Sequence, residues 1–219
     1  MKVQATLHDM IRAGFLAITV LLLGGCASLP PSPPSAMEQA RLQVAWQRHA
    51  ERVRAIPDWQ CFGRAAIRVG DHGGTVNLDW KQTDNVSDVH LNAPLNQGTV
   101  ELLGKPDLMV ITDSSGNQRY TTDPAETVYQ ITGWRIPITA LPNWIRGLPN
   151  DNAAHYTWDE HGRLATLTDG AWSITYEQYE FIDQRIFLPT KLTLEHGDIR
   201  LRLAIERWRL TSDSSKATS

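Results

Sequence analysis

The feature that most restricts the fold is a change of hydrophobic period at Trp59. Ahead of it, from Met37 to Ile56, the positions Leu42, Ala45, Trp46, His49, Val53 and Ile56 recur at three- and four-residue spacing. Arg41, Gln43, Gln47, Arg48, Glu51, Arg52 and Arg54 take the other side, which makes an amphipathic helix. Ser35 is placed to cap it and Pro57-Asp58 to stop it. Beyond Trp59 the period is two. Short alternating runs joined by Gly- and Asp-rich turns describe an antiparallel sheet, because parallel strands need crossover connections of about a dozen residues or more.

The runs can be placed in order. Ala65, Ile67 and Val69 lead through Gly70-Asp71-His72-Gly73-Gly74 to Val76, Leu78 and Trp80, a hairpin. Val89 and Leu91 begin a strand that reaches Ala93-Pro94-Leu95-Asn96-Gln97-Gly98, after which Val100 and Leu102 resume. Gly104-Lys105-Pro106-Asp107 turns into an apolar strand over 108–112, and Ser114-Ser115-Gly116-Asn117 turns again. Strands return over 156–159, 163–168, 171–177, 190–195 and 199–210. In the last of these Ile199, Leu201, Leu203 and Ile205 alternate while Trp208 and Leu210 fall out of phase, which predicts a β-bulge near Glu206-Arg207. Between the two blocks, Asp123-Pro124-Ala125-Glu126 opens a helix that carries Val128 and Ile131 and closes at Gly133. A second helix is expected from Thr139 to Arg146, with Leu141, Trp144 and Ile145 on one side. The sum is ten or eleven strands, a helix before them and two helices inserted midway.

The N-terminus carries an address. Lys2 and Arg12 precede an apolar run from Ala13 to Leu23, too short for the roughly 20 residues that span a bilayer but suited to a secretory signal. Leu23-Gly24-Gly25-Cys26 resembles the bacterial lipobox, in which the cysteine is acylated and becomes the first mature residue. Ala27 follows, and the absence of an Asp there suggests the outer membrane under the sorting rule the lipobox brings with it. Residues 27–36 hold four prolines and three serines, an extended tether of about 25 to 30 Å at about 3 Å per residue. The chain thus divides into a signal peptide over 1–25, a lipidated Cys26 and tether over 26–36, a folded domain over 37–212 and a polar tail over 213–219. Cys61 is left without a partner and reads as a small buried apolar residue.

Composition excludes more than it assigns. With 21 basic and 24 acidic residues the formal net charge is −3, which argues against a nucleic-acid partner. No G-x-S-x-G, H-E-x-x-H, C-x-x-C or G-x-x-x-x-G-K-[ST] occurs, so neither an enzyme activity nor a cofactor is expected. His155 and His161, with Asp159 and Glu160 between them, have the residue types of metal ligands, but HYTWDEHG reads as a strand ending in a solvated turn. Asn85-Val86-Ser87 matches a glycan sequon that has no use in a bacterial lipoprotein. A binding role remains. Eight tryptophans, all beyond residue 40, either fill a core or line an apolar space beneath the helical insertion.

Several segments converge on a known family. Trp46-Gln47-x-His49, Ile56-x-x-Trp59, Gly63-Arg64-x-Ala66-x-Arg68 and Leu78-x-Trp80-Lys81-Gln82 resemble the N-terminal half of LolB, an outer-membrane lipoprotein receptor. Thr132-Gly133-Trp134-x-Ile136-Pro137 and Leu141-x-x-Trp144-Ile145-x-Gly147-Leu148-Pro149 are the most specific matches. Gly170-x-Trp172-x-Ile174-x-Tyr176 and Leu188-Pro189-x-Lys191-Leu192 complete the order. The resemblance implies a mainly β fold, an open antiparallel β-barrel of about eleven strands whose N-terminal helix and two-helix insertion cover a hydrophobic cavity. It implies Trp80, Trp134, Ile136, Leu141, Trp144, Ile145, Trp172 and Tyr176 as cavity or lid lining. The implied partners are a LolA-like periplasmic carrier, the acyl chains of lipoprotein cargo and outer-membrane lipid, met by a monomer anchored at Cys26 and facing the periplasm. Arg64 and Arg68, on an outward strand face, are candidates for docking an acidic carrier. A lipid-anchored carrier of another lipid or small apolar ligand fits the same residues, and a structural scaffold would need a filled barrel.

Ala93-Pro94-Leu95-Asn96-Gln97-Gly98 corresponds to the family's N-P-L-G loop, whose exposed leucine drives membrane insertion, and the resemblance places that role on Leu95 beside Pro94. Leu95 is notable without the resemblance, since neither flanking strand requires an apolar side chain in this turn. Leu95→Glu is expected to leave folding and cargo binding intact while blocking release. Delivery of lipoprotein to liposomes at the parental rate by this variant would contradict the assignment.

Overall fold

A computed structural model of the chain describes residues 35–93 and 98–211. The signal segment, Cys26, most of the tether, Pro94, Leu95 and the tail after Thr211 lie outside these residues. The first element is helix α1 (Ala36–Arg54), which buries Leu42, Trp46, His49, Ala50 and Val53 along one stripe and ends on Arg52 and Arg54, cations suited to a helix C-terminus. Eleven strands follow: β1 (Trp59–Val69), β2 (His72–Thr83), β3 (Val86–Asn92), β4 (Thr99–Lys105), β5 (Leu108–Thr112), β6 (Gln118–Thr121), β7 (His155–Trp158), β8 (Leu164–Asp169), β9 (Trp172–Ile182), β10 (Ile186–His196) and β11 (Ile199–Leu210). They form one antiparallel sheet in the order β6-β5-β4-β3-β2-β1-β11-β10-β9-β8-β7. Every pair of sequence neighbours except β6 and β7 is hydrogen-bonded, and the first strand also pairs with the last. The sheet ends on β6 and β7 without closing. Helices α2 (Pro124–Thr132) and α3 (Leu141–Trp144) lie on the segment that connects those two edges.

The expected landmarks have local causes. Asp123 caps α2, its carboxylate accepting the Glu126 N–H at 3.0 Å, and Pro124 stands at the first turn. Gly133 ends the helix at φ 77° and donates its N–H to the Tyr129 carbonyl at 2.7 Å. The bulge sits where the phase slips: Phe62 faces Arg207 and Gly63 faces Ile205, which leaves Glu206 as the extra residue.

Three elements differ from expectation. Gly73 and Gly74 pair with Arg68 and Ile67 inside the β1–β2 ladder, so the turn is only Gly70-Asp71. β9 and β10 run on to Ile182 and back from Ile186, because Asp183 and Gln184 adopt φ of 49° and 53° and make a tight turn without glycine. The second inserted helix is shorter than 139–146, with only Leu141–Trp144 helical, although hydrogen-bonded turns continue from the Pro137 carbonyl to the Gly147 N–H.

α1 covers the β7–β8 end of the sheet, where Trp46 packs against Tyr156 at 5.5 Å between ring centroids and Arg41 donates to the Glu160 carbonyl at 3.0 Å. Its His49 is buried and Nε2 has no hydrogen-bond partner. Burial, reinforced by Arg52 and Arg163 and opposed by Asp159, pulls its pKa from 6.5 down to about 4. The folded protein therefore keeps His49 neutral while the unfolded chain takes up a proton near pH 6.5, so stability is complete above that pH and is lost as pH falls toward 4. The expected loss from this residue is about 3 kcal/mol. Urea unfolding between pH 7 and pH 4 should show a steep decline for the parent and a flatter one for His49→Leu; parallel declines would contradict this origin.

Candidate functional site

The inner face of the sheet is treated differently in its two halves. Along β1 the inward residues shrink from Trp59 through Cys61 and Gly63 to Ala65 before Ile67 restores bulk. The small middle leaves space that the flanking strands do not fill. An apolar chamber of about 340 Å³ results. Its sheet wall is aliphatic: Val76 and Leu78 on β2, Val89 on β3, Val100 and Leu102 on β4, and Ile111 on β5. Leu201 and Leu203 of β11 continue it. The roof is the insertion, through Val128, Ile131, Trp134, Ile136, Ile138 and Leu141. Ser87 and Ser114 supply the only polar side chains among the described lining residues.

A tryptophan cluster closes one end. Trp59 packs against Trp80 at 5.4 Å and against Trp208 at 5.5 Å. Trp80 donates its indole N–H to Gln82 Oε1 at 3.3 Å and Trp208 donates to the Pro189 carbonyl at 2.9 Å, which lets two polar edges sit in an apolar floor. The other end reaches Ala93, Gly98 and Ser114, the residues flanking 94–97. The Leu95 segment therefore starts and ends at the chamber's rim, although Leu95 and Pro94 themselves are outside the described residues.

Trp80, Trp134, Ile136 and Leu141 are on the chamber wall. Trp144, Ile145, Trp172 and Tyr176 are not among the residues that line it. They are packed into a filled core between α3 and strands β8 to β10, with Ile145 and Ile174 fully buried. The cause is a set of polar ties that draw α3 onto the sheet. Trp144 donates its indole N–H to Asp169 Oδ2 at 2.8 Å, and the same oxygen accepts the Asn150 N–H at 2.7 Å. Tyr176 donates its hydroxyl to the Trp144 carbonyl at 2.9 Å, and Trp172 packs 5.9 Å from Trp144. Burial raises the Tyr176 phenol well above its ordinary range, so it stays a donor.

Arg146 completes the fixing of α3. Its guanidinium donates to the carbonyls of Pro142 at 2.9 Å and Ile56 at 3.1 Å and lies over the Trp59 ring. Burial pulls its pKa to about 10, which still leaves it charged at neutral pH. Within the α2 half, Arg135 pairs with Glu126 at 3.1 Å and lies over the Tyr129 ring. That half meets the sheet through buried Val128, through Ile131 packed against the core and through Thr127, which donates to Thr121 Oγ1 at 2.8 Å.

The remaining candidates fall on the surface or in the core. Asp159 caps its own turn, accepting from the His161 and Arg163 N–H groups and pairing with Arg163 at 2.6 Å. Among the described residues no group of three or more His, Cys, Asp or Glu is arranged to hold a metal. Arg64 is exposed and pairs with Glu206 at 2.9 Å, and Arg68 is exposed near the β1–β2 turn. Cys61 is fully buried, and burial pushes its thiol well up from the ordinary value. The aliphatic lining was not singled out in the sequence, although the alternation of Val76, Leu78, Val89, Val100 and Leu102 and the small run at Gly63 and Ala65 were the available signals.

The family model described as outer membrane lipoprotein LolB matches residues 57–208, the whole sheet and its insertion. The chain belongs to the LolB family. An outer-membrane lipoprotein LolB from Alkalilimnicola ehrlichii is 35% identical over 205 residues, covering 91% of this chain and 99% of that protein. The one from Nitrosococcus oceani is 33% identical over 201 residues, covering 91% and 98%. Among solved structures, a DUF1329 family protein from Desulfovibrio piger superposes with a TM-score of 0.51 at 10% identity, over 80% of this chain and 95% of that one, a likeness of fold.

Core and chamber can be separated experimentally. Trp144→Phe removes one hydrogen bond to the buried Asp169 carboxylate and is expected to cost about 2 kcal/mol. Chemical denaturation should show that loss, while affinity for an apolar fluorescent probe stays at the parental value. A parallel fall in probe affinity would place Trp144 on the chamber after all.

Proposed function

We propose that this LolB-family protein is held at the outer membrane through an acylated Cys26, faces the periplasm, and takes lipoproteins from a LolA-like carrier into the apolar chamber before inserting them into the membrane. The observation that carries this reading is the chamber itself: apolar, roofed by the insertion and nearly free of polar side chains. Such a site has nothing to offer a charged or sugar-like ligand and suits hydrocarbon. Exposing acyl chains to water costs about 0.8 kcal/mol per methylene, so three long chains carry a penalty on the order of 30 kcal/mol. A handover from one apolar cavity to another avoids that penalty, and affinities graded from carrier to receptor to bilayer give direction without nucleotide hydrolysis.

At about 340 Å³ the chamber is near the small end of the roughly 300–1,000 Å³ range of ligand sites. Several chains need more room. Outward movement of the α2 half of the roof supplies it, while α3, tied through Trp144, Tyr176 and Arg146, stays in place. Release then takes place at the rim marked by Ala93 and Gly98, with Leu95 of the intervening segment delivering an apolar side chain to the lipid surface.

Transfer of radiolabelled lipoprotein from carrier to this protein tests the reading. The parental protein should strip the carrier of cargo, whereas Val100→Trp, which fills the chamber from the wall, should reduce transfer by about tenfold, the equivalent of about 1.4 kcal/mol. Transfer by the filled variant at the parental rate would refute a chamber-based handover; uptake of free lipid but no cargo from carrier would favour a carrier of another lipid.

A further inference from the structure

Beside the chamber lies a second, smaller crevice of about 170 Å³, between the turns after β2 and β4 and helix α3. The two spaces share three lining residues, Ser87, Met109 and Ile138, so these side chains are the partition between them. Register explains how thin that partition is. Ser87 faces Gly104 across β3–β4, Gly104 faces Met109 across β4–β5, and Met109 faces Thr121 across β5–β6. Met109 is thus the large side chain toward the outer end of this row, separated from Gln82, which faces Ser87 across β2–β3, by the small Ser87 and Gly104. The next row is bulky, with Val89 facing Leu102 and Leu102 facing Ile111.

Gly104 cannot be replaced to thicken the row. It sits at φ +143°, and a Cβ there would collide with the Leu108 carbonyl oxygen and lie 2.8 Å from the Met109 Cα. The backbone of Leu108 and Met109 therefore keeps position 104 a glycine. Met109 is buried, yet it is unbranched and has three rotatable side-chain bonds, whereas its neighbours on the chamber wall are branched. The crevice beyond offers the thioether apolar surface from Pro106, Pro142 and Ile138.

We propose that Met109 is an adjustable floor of the acyl-chain chamber: its side chain swings between Pro106 and Pro142 into the crevice and yields the space it fills to the terminal carbons of a long saturated acyl chain. This rests on the reading of the chamber as an acyl-chain site and adds the residue that sets the longest chain it accepts. Chains that stop at the row of Leu102 and Ile111 do not call on the movement; longer ones do. The crevice holds the displaced side chain, not the lipid, which accords with its polar rim of Gln82, Asn143 and Arg146.

The test uses the full-length protein and acyl chains, decanoyl and palmitoyl, that carry a photoreactive group at the terminal carbon. Met109→Ile keeps the apolar volume and removes the free rotation, a mild change in a core. In the parent, palmitoyl ends should label the β4–β5 hairpin from Gly104 to Met109, and decanoyl ends should label Leu102 and Ile111. In Met109→Ile the palmitoyl label on the hairpin should fall at least about fivefold and move to Leu102 and Ile111, a change of about 1 kcal/mol in placement. Palmitoyl labelling of the hairpin that is equal in both proteins, or of Leu102 and Ile111 in both, would overturn the adjustable floor while leaving the chamber as the lipid site. Absence of label from every chamber residue at both chain lengths would overturn the floor and the acyl-chain reading together.

Discussion

The pairing of the first strand with the last is the constraint on which the rest of the molecule depends. β1 and β11 run antiparallel from Trp59 against Leu210 to Val69 against Ile199, and they join two meanders that would otherwise be separate sheets. Because this seam lies in the middle of the sheet, its inward residues decide whether the concave face is solid or hollow. Ala65 on β1 leaves it hollow toward the N-terminal strands. The bulge at Glu206 resets the phase of β11, so that Trp208 turns inward and closes the end beside Trp59. A sheet left open at β6 and β7 can then accept a connecting segment as a roof, since no strand ladder ties the two edges together.

The division of labour within the roof follows from burial and charge. α3 is attached through hydrogen bonds to a buried carboxylate, a buried phenol and a buried guanidinium, each costly to leave unpartnered in an apolar interior. α2 is attached through its apolar face, with Val128 buried and Ile131 packed against the core.

Much of this was legible in the sequence, and the limits are physical. Alternation gave the strands, and the Asp-Pro-x-Glu start with the glycine stop gave α2. The phase slip between Ile205 and Trp208 located the bulge. The tight turn at Asp183-Gln184 carried no glycine, so the ends of β9 and β10 were not visible. Which aromatic residues face a void was not readable either, because Trp80 and Trp144 have the same local signature. What separates them is the partner across the sheet: small residues near Trp80, and Asp169, Trp172 and Tyr176 around Trp144. The chamber wall includes a small side chain, Ala65, and patterns of large residues do not reveal such gaps.

The tryptophans provide the most direct test of a hollow half beside a solid one. Lipoprotein whose acyl chains carry bromine, a short-range quencher of indole emission, would be loaded onto the parent and onto single Trp-to-Phe variants. With bromine in the chamber, Trp80 and Trp134 are the quenched residues, so Trp80→Phe and Trp134→Phe should each remove part of the loss of emission, while Trp144→Phe and Trp172→Phe should leave it intact. Quenching that survives in the first pair and disappears in the second would mean that the acyl chains occupy the opposite half of the sheet.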